Sequence, residues 1–143
     1  MTENSDRAAW QVRVPFHHID MHGHMHNSAY FPYCETAIAE YLRQQGLGEA
    51  FSPIQQDHGY HVHKVEFVFH RPSRYEQLLS FVVEITRLRN TSMTFRVSVY
   101  GVDENTPRVE ASIVWVCVHN QLGKIQPIPV AVQRLLTTLM QDA

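Results

Sequence analysis

The residues best suited to chemistry crowd into one stretch, Phe16-His17-His18-Ile19-Asp20-Met21-His22-Gly23-His24-Met25-His26-Asn27-Ser28. Five of the ten histidines lie in it. The stretch runs into an apolar segment whose spacing predicts a helix, so its last residues fall at a helix N-terminus. Unpaired backbone N–H groups and the positive end of the helix dipole gather there. Such a place polarises a carbonyl oxygen and holds the oxyanion that forms on attack. Asp20 adds a carboxylate able to act as a base on water or to attack directly. The stretch therefore contains both halves of an acyl-transfer site.

Other chemistries are weaker on the same residues. His22-x-His24-x-His26 invites a metal, because histidine is the commonest metal ligand. Zinc ligands, however, sit on fixed structure with Cys or acidic partners at set spacings, and these three flank a glycine in an aperiodic loop. No metal is assigned, and His24 is read as packing and hydrogen-bonding to hold the loop. Asp20 also suits a turn, and Asn27 or Ser28 suits an N-cap; capping and offering an N–H to substrate are compatible. Glu35 reads as a solvated helix residue. His61-x-His63 reads as a same-face strand pair. Cys34 falls in an apolar stripe, as inert core thiols do. There is no Gly-x-Ser-x-Gly elbow for a serine hydrolase. Arg71, Arg74, Arg87 and Arg89 suit phosphate binding or a solvated basic edge equally well.

The elements that must hold these residues follow from periodicity. Trp10–Val14 alternates as a short strand closed by Pro15. From Ser28, Tyr30, Tyr33, Cys34, Ala37, Ile38 and Tyr41 recur at helical spacing, with Pro32 in the first turn and Gly46 as the stop. Half-buried strands are predicted over His61–His70, Leu78–Leu88 and Met93–Tyr100, turning at Arg89–Thr91 and Asp103–Pro107. Val109–His119 is so apolar that it reads as a central strand covered on both faces. A short extended piece follows at Ile125, then a closing helix from Pro129 carrying Val132, Leu135, Leu136 and Leu139. One apolar helix before a run of antiparallel strands is an α+β layout, and a sheet curled around that helix buries both apolar surfaces.

Composition narrows the setting. A chain of 143 residues is one domain, 1–143, with 1–9 a loose polar tail. Its net charge of −2 gives no field for nucleic acid. Two cysteines make no secreted disulfide framework. The N-terminus lacks a signal-peptide pattern and no apolar run reaches membrane-spanning length, so a cytoplasmic protein with no membrane partner is expected.

The run Asp20-x-x-Gly23-His24-x-x-Asn27-x-x-Tyr30, then Glu35-x-Ala37, resembles the hot-dog-fold acyl-CoA thioesterases of the 4-hydroxybenzoyl-CoA thioesterase type. Arg71-Pro72 after a strand, the polar turn Asn90-Thr91-Ser92 and Pro129 before the closing helix extend the likeness over nearly the whole chain. The resemblance implies an antiparallel sheet of five to six strands wrapped around a central long helix. It implies hydrolysis of an acyl-CoA to a free acid and coenzyme A, with Asp20 as base or nucleophile and the Asn27 N–H as oxyanion donor. Gly23, His24, His26, Tyr30, Arg71, Arg89 and Ser92 are the expected substrate contacts. It implies no cofactor, coenzyme A being part of the substrate, and a homodimer or homotetramer with sites between subunits. The rival readings are a hot-dog acyl-thioester hydratase or dehydratase, and a non-catalytic acyl-CoA-binding or metal-binding module. His17-His18-Ile19 stands where many such proteins carry Asp or Thr-Asp just before the catalytic Asp.

Overall fold

The computed structural model describes residues 3–142. Five strands, β1 (Trp10–Arg13), β2 (His58–Phe69), β3 (Leu78–Leu88), β4 (Ser92–Gly101) and β5 (Val109–His119), form one antiparallel sheet in the order β1-β3-β4-β5-β2. The curled sheet holds one long helix, α2 (Tyr30–Gln44). Two shorter α-helices are α1 (Glu3–Arg7) and α3 (Val130–Asp142). None of these helices is long and apolar enough to cross a membrane.

Period-two alternation sets the sheet's inner face. Leu79, Phe81, Val83 and Ile85 of β3, Met93, Phe95, Val97 and Val99 of β4, and Val109, Ala111, Ile113 and Cys117 of β5 are all buried. Against them α2 packs Tyr30, Tyr33, Cys34, Ala37, Ile38 and Leu42; the stripe read from the sequence has the partly buried Tyr41 in place of Leu42. Truncating an interior residue of this kind, Phe95 or Ile38, to alanine typically costs about 2–5 kcal/mol. Pro32 is harmless in the first turn, where no intrahelical acceptor is needed. The helix stops at Gly46, which takes φ +78°. Gly46 N–H then meets Arg43 O, and Leu47 N–H meets Leu42 O, closing the last turn.

Several elements differ from the sequence reading. The expected tail is tied down from Glu3: it forms α1, Asn4 donates to Glu104 O, and Ala9 is buried with its N–H on Phe81 O. Residues 1–2 lie outside the described residues. Strand β2 begins at His58, and a register shift between Val62 and Lys64 leaves His63 without a partner, so His61 and His63 are not a regular same-face pair. On β5 the inner face is the better covered, and on the outer face only Val118 is buried. Ser112, Val114 and Val116 stay partly exposed because the single helix layer covers one side of the sheet. In α3, Val132 and Leu136 are buried but Leu135 turns outward.

Candidate active site

The loop before α2 is folded by its own main chain. Ile19 bridges Met25, Asp20 N–H donates to His24 O at 2.7 Å, and Gly23 N–H donates to Asp20 O at 3.0 Å. Gly23, at φ +78°, makes the reversal. The same reversal aims two N–H groups at one carboxylate oxygen: Asp20 Oδ1 accepts from His22 at 2.9 Å and His24 at 3.1 Å. Partial desolvation raises the Asp20 pKa. The His24 and His22 N–H groups and their imidazole charges outweigh it, and the group titrates below the ordinary carboxylate value. Asp20 is therefore an anion at neutral pH.

Distant residues clamp this loop. Met25 N–H donates to Ser73 O at 2.7 Å, and the buried Tyr30 hydroxyl donates to Ser73 Oγ at 3.0 Å. His24 forms an isolated bridge with Arg74. His26 N–H donates to His18 O, while His18 Nδ1 lies 2.6 Å from Tyr33 Oη. Desolvation, with some repulsion from His17, lowers the His18 pKa, and burial raises that of Tyr33. A neutral imidazole accepting the tyrosine proton satisfies both shifts.

The helix entrance differs from expectation in one instructive detail. The cap is His26, whose Nδ1 accepts from Ser28 N–H at 3.1 Å, because a 3-10 turn (Asn27–Ala29) precedes α2 and moves the start forward. Asn27 is thereby the first residue inside the turn. Its N–H has no intrahelical acceptor and no other partner among the described residues. It borders a cleft of about 180 Å³ lined by Tyr30, Phe69, His70, Arg71 and Pro72 as well.

One end of α2 thus collects Asp20, Gly23, His24, His26, Asn27 and Tyr30. Arg71 borders the cleft, but its guanidinium is occupied by Glu104 at 3.3 Å and by Thr106 O at 2.8 Å. Glu104 also pairs with Arg108, whose hydrogen bonds hold the Glu104 carboxyl below its usual range. Arg71 therefore braces the β4–β5 turn. Arg89 and Ser92 do not reach the cleft in this chain. They form the β3–β4 hairpin, where Ser92 lies opposite Val116, at the end of the sheet where β2 begins. The cleft sits where β2 ends. Ser73 and the His18–Tyr33 pair were not singled out from sequence; Arg71-Pro72 marks the segment, but nothing local distinguishes a buried Ser73 clamp. Among the described residues no three His, Cys, Asp or Glu side chains converge as metal ligands do.

An antiparallel sheet curled around one long helix, with a helix entrance feeding a cleft, is the hot-dog class of protein. The sequence profile of the thioesterase superfamily matches residues 22–107, starting just after Asp20. The chain belongs to that superfamily and is a thioester hydrolase. It is similar to the acyl-CoA thioester hydrolase YbgC of Escherichia coli, 28% identical over 126 residues that span 88% of this chain and 92% of the relative. Among solved structures it is similar to AQ1494 of Aquifex aeolicus, with TM-score 0.79 and 26% identity over 89% of this chain and 97% of that one. It also shares its fold with Slr0204, a 1,4-dihydroxy-2-naphthoyl-CoA thioesterase from Synechocystis. There the TM-score is 0.81 and the identity 16%, over 91% of this chain and 95% of that one.

Proposed function

We propose that this protein hydrolyses an acyl-CoA thioester to a carboxylic acid and coenzyme A, using Asp20 and the Asn27 N–H. The observation that carries this reading is the unpartnered N–H of Asn27, a residue that lines the cleft. A thioester carbonyl seated on it gains a donor that strengthens as negative charge develops on oxygen. Asp20 keeps one oxygen on the His22 and His24 N–H groups and the other without a partner among the described residues. As a base it takes a proton from water while the water oxygen bonds to the carbonyl carbon. The tetrahedral oxyanion then collapses, the C–S bond breaks, and the leaving thiolate takes the proton from Asp20. As a nucleophile it bonds to the carbonyl carbon and expels the coenzyme A thiolate, and water then opens the mixed anhydride, freeing the acid, restoring the Asp20 carboxylate and giving its proton to the thiolate. Neither route needs a metal or cofactor.

Similarity to YbgC supports the acyl-CoA substrate. The free edge of β2 supports a homodimer, since an unpaired edge is a template for a second copy. The test is thiol release across acyl-CoA and enoyl-CoA panels. Asp20→Asn keeps the loop's acceptor oxygen but loses the base, so kcat falls about 10²–10⁴-fold with substrate binding retained. Undiminished turnover in that variant, or hydration of enoyl-CoA without thiol release, overturns the reading.

A further inference from the structure

The connection from β2 to β3, residues 70–77, belongs to no named strand or helix, yet its Ser73 is 0% exposed. Buried polar groups are nearly always paired, and Ser73 is paired twice. Its carbonyl oxygen accepts Met25 N–H at 2.7 Å, and its Oγ accepts the Tyr30 hydroxyl at 3.0 Å. Met25 lies before Asn27 in the chain and Tyr30 after it. One residue therefore grips the chain on both sides of the Asn27 N–H. Its neighbour Arg74 bridges His24, whose N–H holds Asp20 Oδ1. Both reacting groups are thus held, at one remove, by the Ser73-Arg74 pair.

Ser73 is itself fixed from the β4–β5 turn. The Arg108 carbonyl oxygen accepts His70 N–H at 2.8 Å and Arg71 N–H at 3.1 Å, and Arg108 Nη1 donates to Pro72 O. The three residues before Ser73 all rest on Arg108. Glu104 aims that guanidinium: Nε lies 2.8 Å from Oε1 and Nη2 lies 2.7 Å from Oε2. A fork of this kind fixes direction as well as charge. Glu104 Oε1 also accepts Gly101 N–H at 2.6 Å. A Cβ at Gly101 would run into the Glu104 carboxylate, so the turn is built around this contact. None of Gly101, Glu104, Arg108 and Ser73 lines the Asn27 cleft.

We propose that Arg108 and Ser73 are positioning residues for the reaction. A strut of hydrogen bonds from Glu104 through Arg108, Pro72 and Ser73 sets where the Asn27 N–H and the Asp20 carboxylate stand. The proposal rests on the reading of Asp20 and Asn27 given above. A reacting group displaced by about 1 Å loses up to about 10²-fold in rate, so slack in the strut is read in kcat. The cleft walls stay, so KM does not follow. Slack also loosens the His24 N–H from Asp20. That contact favours the anion, and without it the carboxyl titrates nearer its ordinary value.

Three variants loosen the strut without touching the cleft. Ser73→Ala removes the Tyr30 acceptor and leaves the main-chain bond to Met25. Arg108→Met removes the grip on Pro72 O, and Gly101→Ala displaces Glu104 without deleting any hydrogen-bonding group. On the acyl-CoA that the wild type hydrolyses fastest, each is expected to lose about tenfold in kcat with KM within about twofold. The acid limb of kcat/KM moves up in pH, towards the ordinary carboxylate range. Ser73→Ala combined with Arg108→Met falls little further than the worse single variant, because one strut is broken once. Val132→Ala, a buried truncation in α3, lowers thermal stability but keeps kcat and the acid limb. An unchanged kcat and an unmoved limb in Ser73→Ala, while Asp20→Asn is inactive, overturn the strut. Equal slowing by Val132→Ala overturns it too, since lost stability alone then accounts for the rates. Full turnover of Asp20→Asn overturns instead the reading of Asp20 on which the strut rests.

Discussion

The two ends of α2 are built by different physics. At the N-terminal end main-chain N–H groups meet side-chain acceptors a few positions away, Asp20 with His22 and His24, His26 with Ser28, and Ser73 clamps the loop from a distance. At the C-terminal end a cavity is assembled from Phe51, Tyr60 and Trp115, drawn from three separate segments and held by ring packing. The first end fixes donors and a charge in space, as a charge-developing reaction needs. The second shapes a volume walled by aromatic rings. The two ends of one helix thus divide into a hydrogen-bonded loop and a packed cavity.

Replacing Asn27 by proline is the strongest way to break that division. Proline removes the N–H and nothing else the helix needs, since the first helical position has no intrahelical acceptor. The preceding His26 already has φ −63° and ψ 137°, the extended conformation that a residue before proline favours. The expected result is a folded protein whose kcat falls about 10²–10³-fold. Asn27→Ala, which keeps the N–H, retains most of the rate. Equal losses in the two variants would mean that the side chain, not the main chain, acts at this end.

The pH profile separates Asp20 from the histidines around it. The carboxyl titrates below its ordinary value, so the reactive anion persists above that lowered pKa and is lost only as the pH falls through it. The expected kcat/KM is level from neutral pH down through the ordinary histidine range, then drops about tenfold per pH unit at acid. A descending limb near pH 6.5 would assign the base to an imidazole instead.

The same division explains what could be read before the fold was known. Both β3 and β5 have the predicted limits, because alternation and apolar runs report strands directly. The loop residues from Asp20 to Tyr30 are adjacent in sequence, and turn chemistry plus a helix start suffices to place them together. Ser73 is invisible at that level: its role depends on a strand connection being brought under Tyr30 by the sheet. The hold on the Arg71 guanidinium is equally invisible, since Glu104 and Thr106 are met only when β4 and β5 turn back. Arg89 and Ser92 lie on the β3–β4 hairpin, which antiparallel topology places away from the cleft of their own chain. The aromatic cavity had no local signature at all.

Two glycines give the finest test. Gly23 in the loop and Gly46 after α2 share φ +78°, and a Cβ at either meets nothing within 4 Å. Alanine at each position therefore carries the same left-handed strain, about 1–2 kcal/mol, and no clash. Thermal unfolding is expected to shift down by a few degrees in both variants. Their rates should part company. Relieving strain at Gly23 moves the N–H groups that hold Asp20, and small displacements of a reacting group are expensive, so kcat on acetyl-CoA falls about tenfold. Gly46 closes a helix far from the reacting carbonyl, and its variant keeps kcat on that short substrate within about twofold. If both alanines slow the reaction equally, the two ends of α2 are coupled through the helix and the division of labour between them fails.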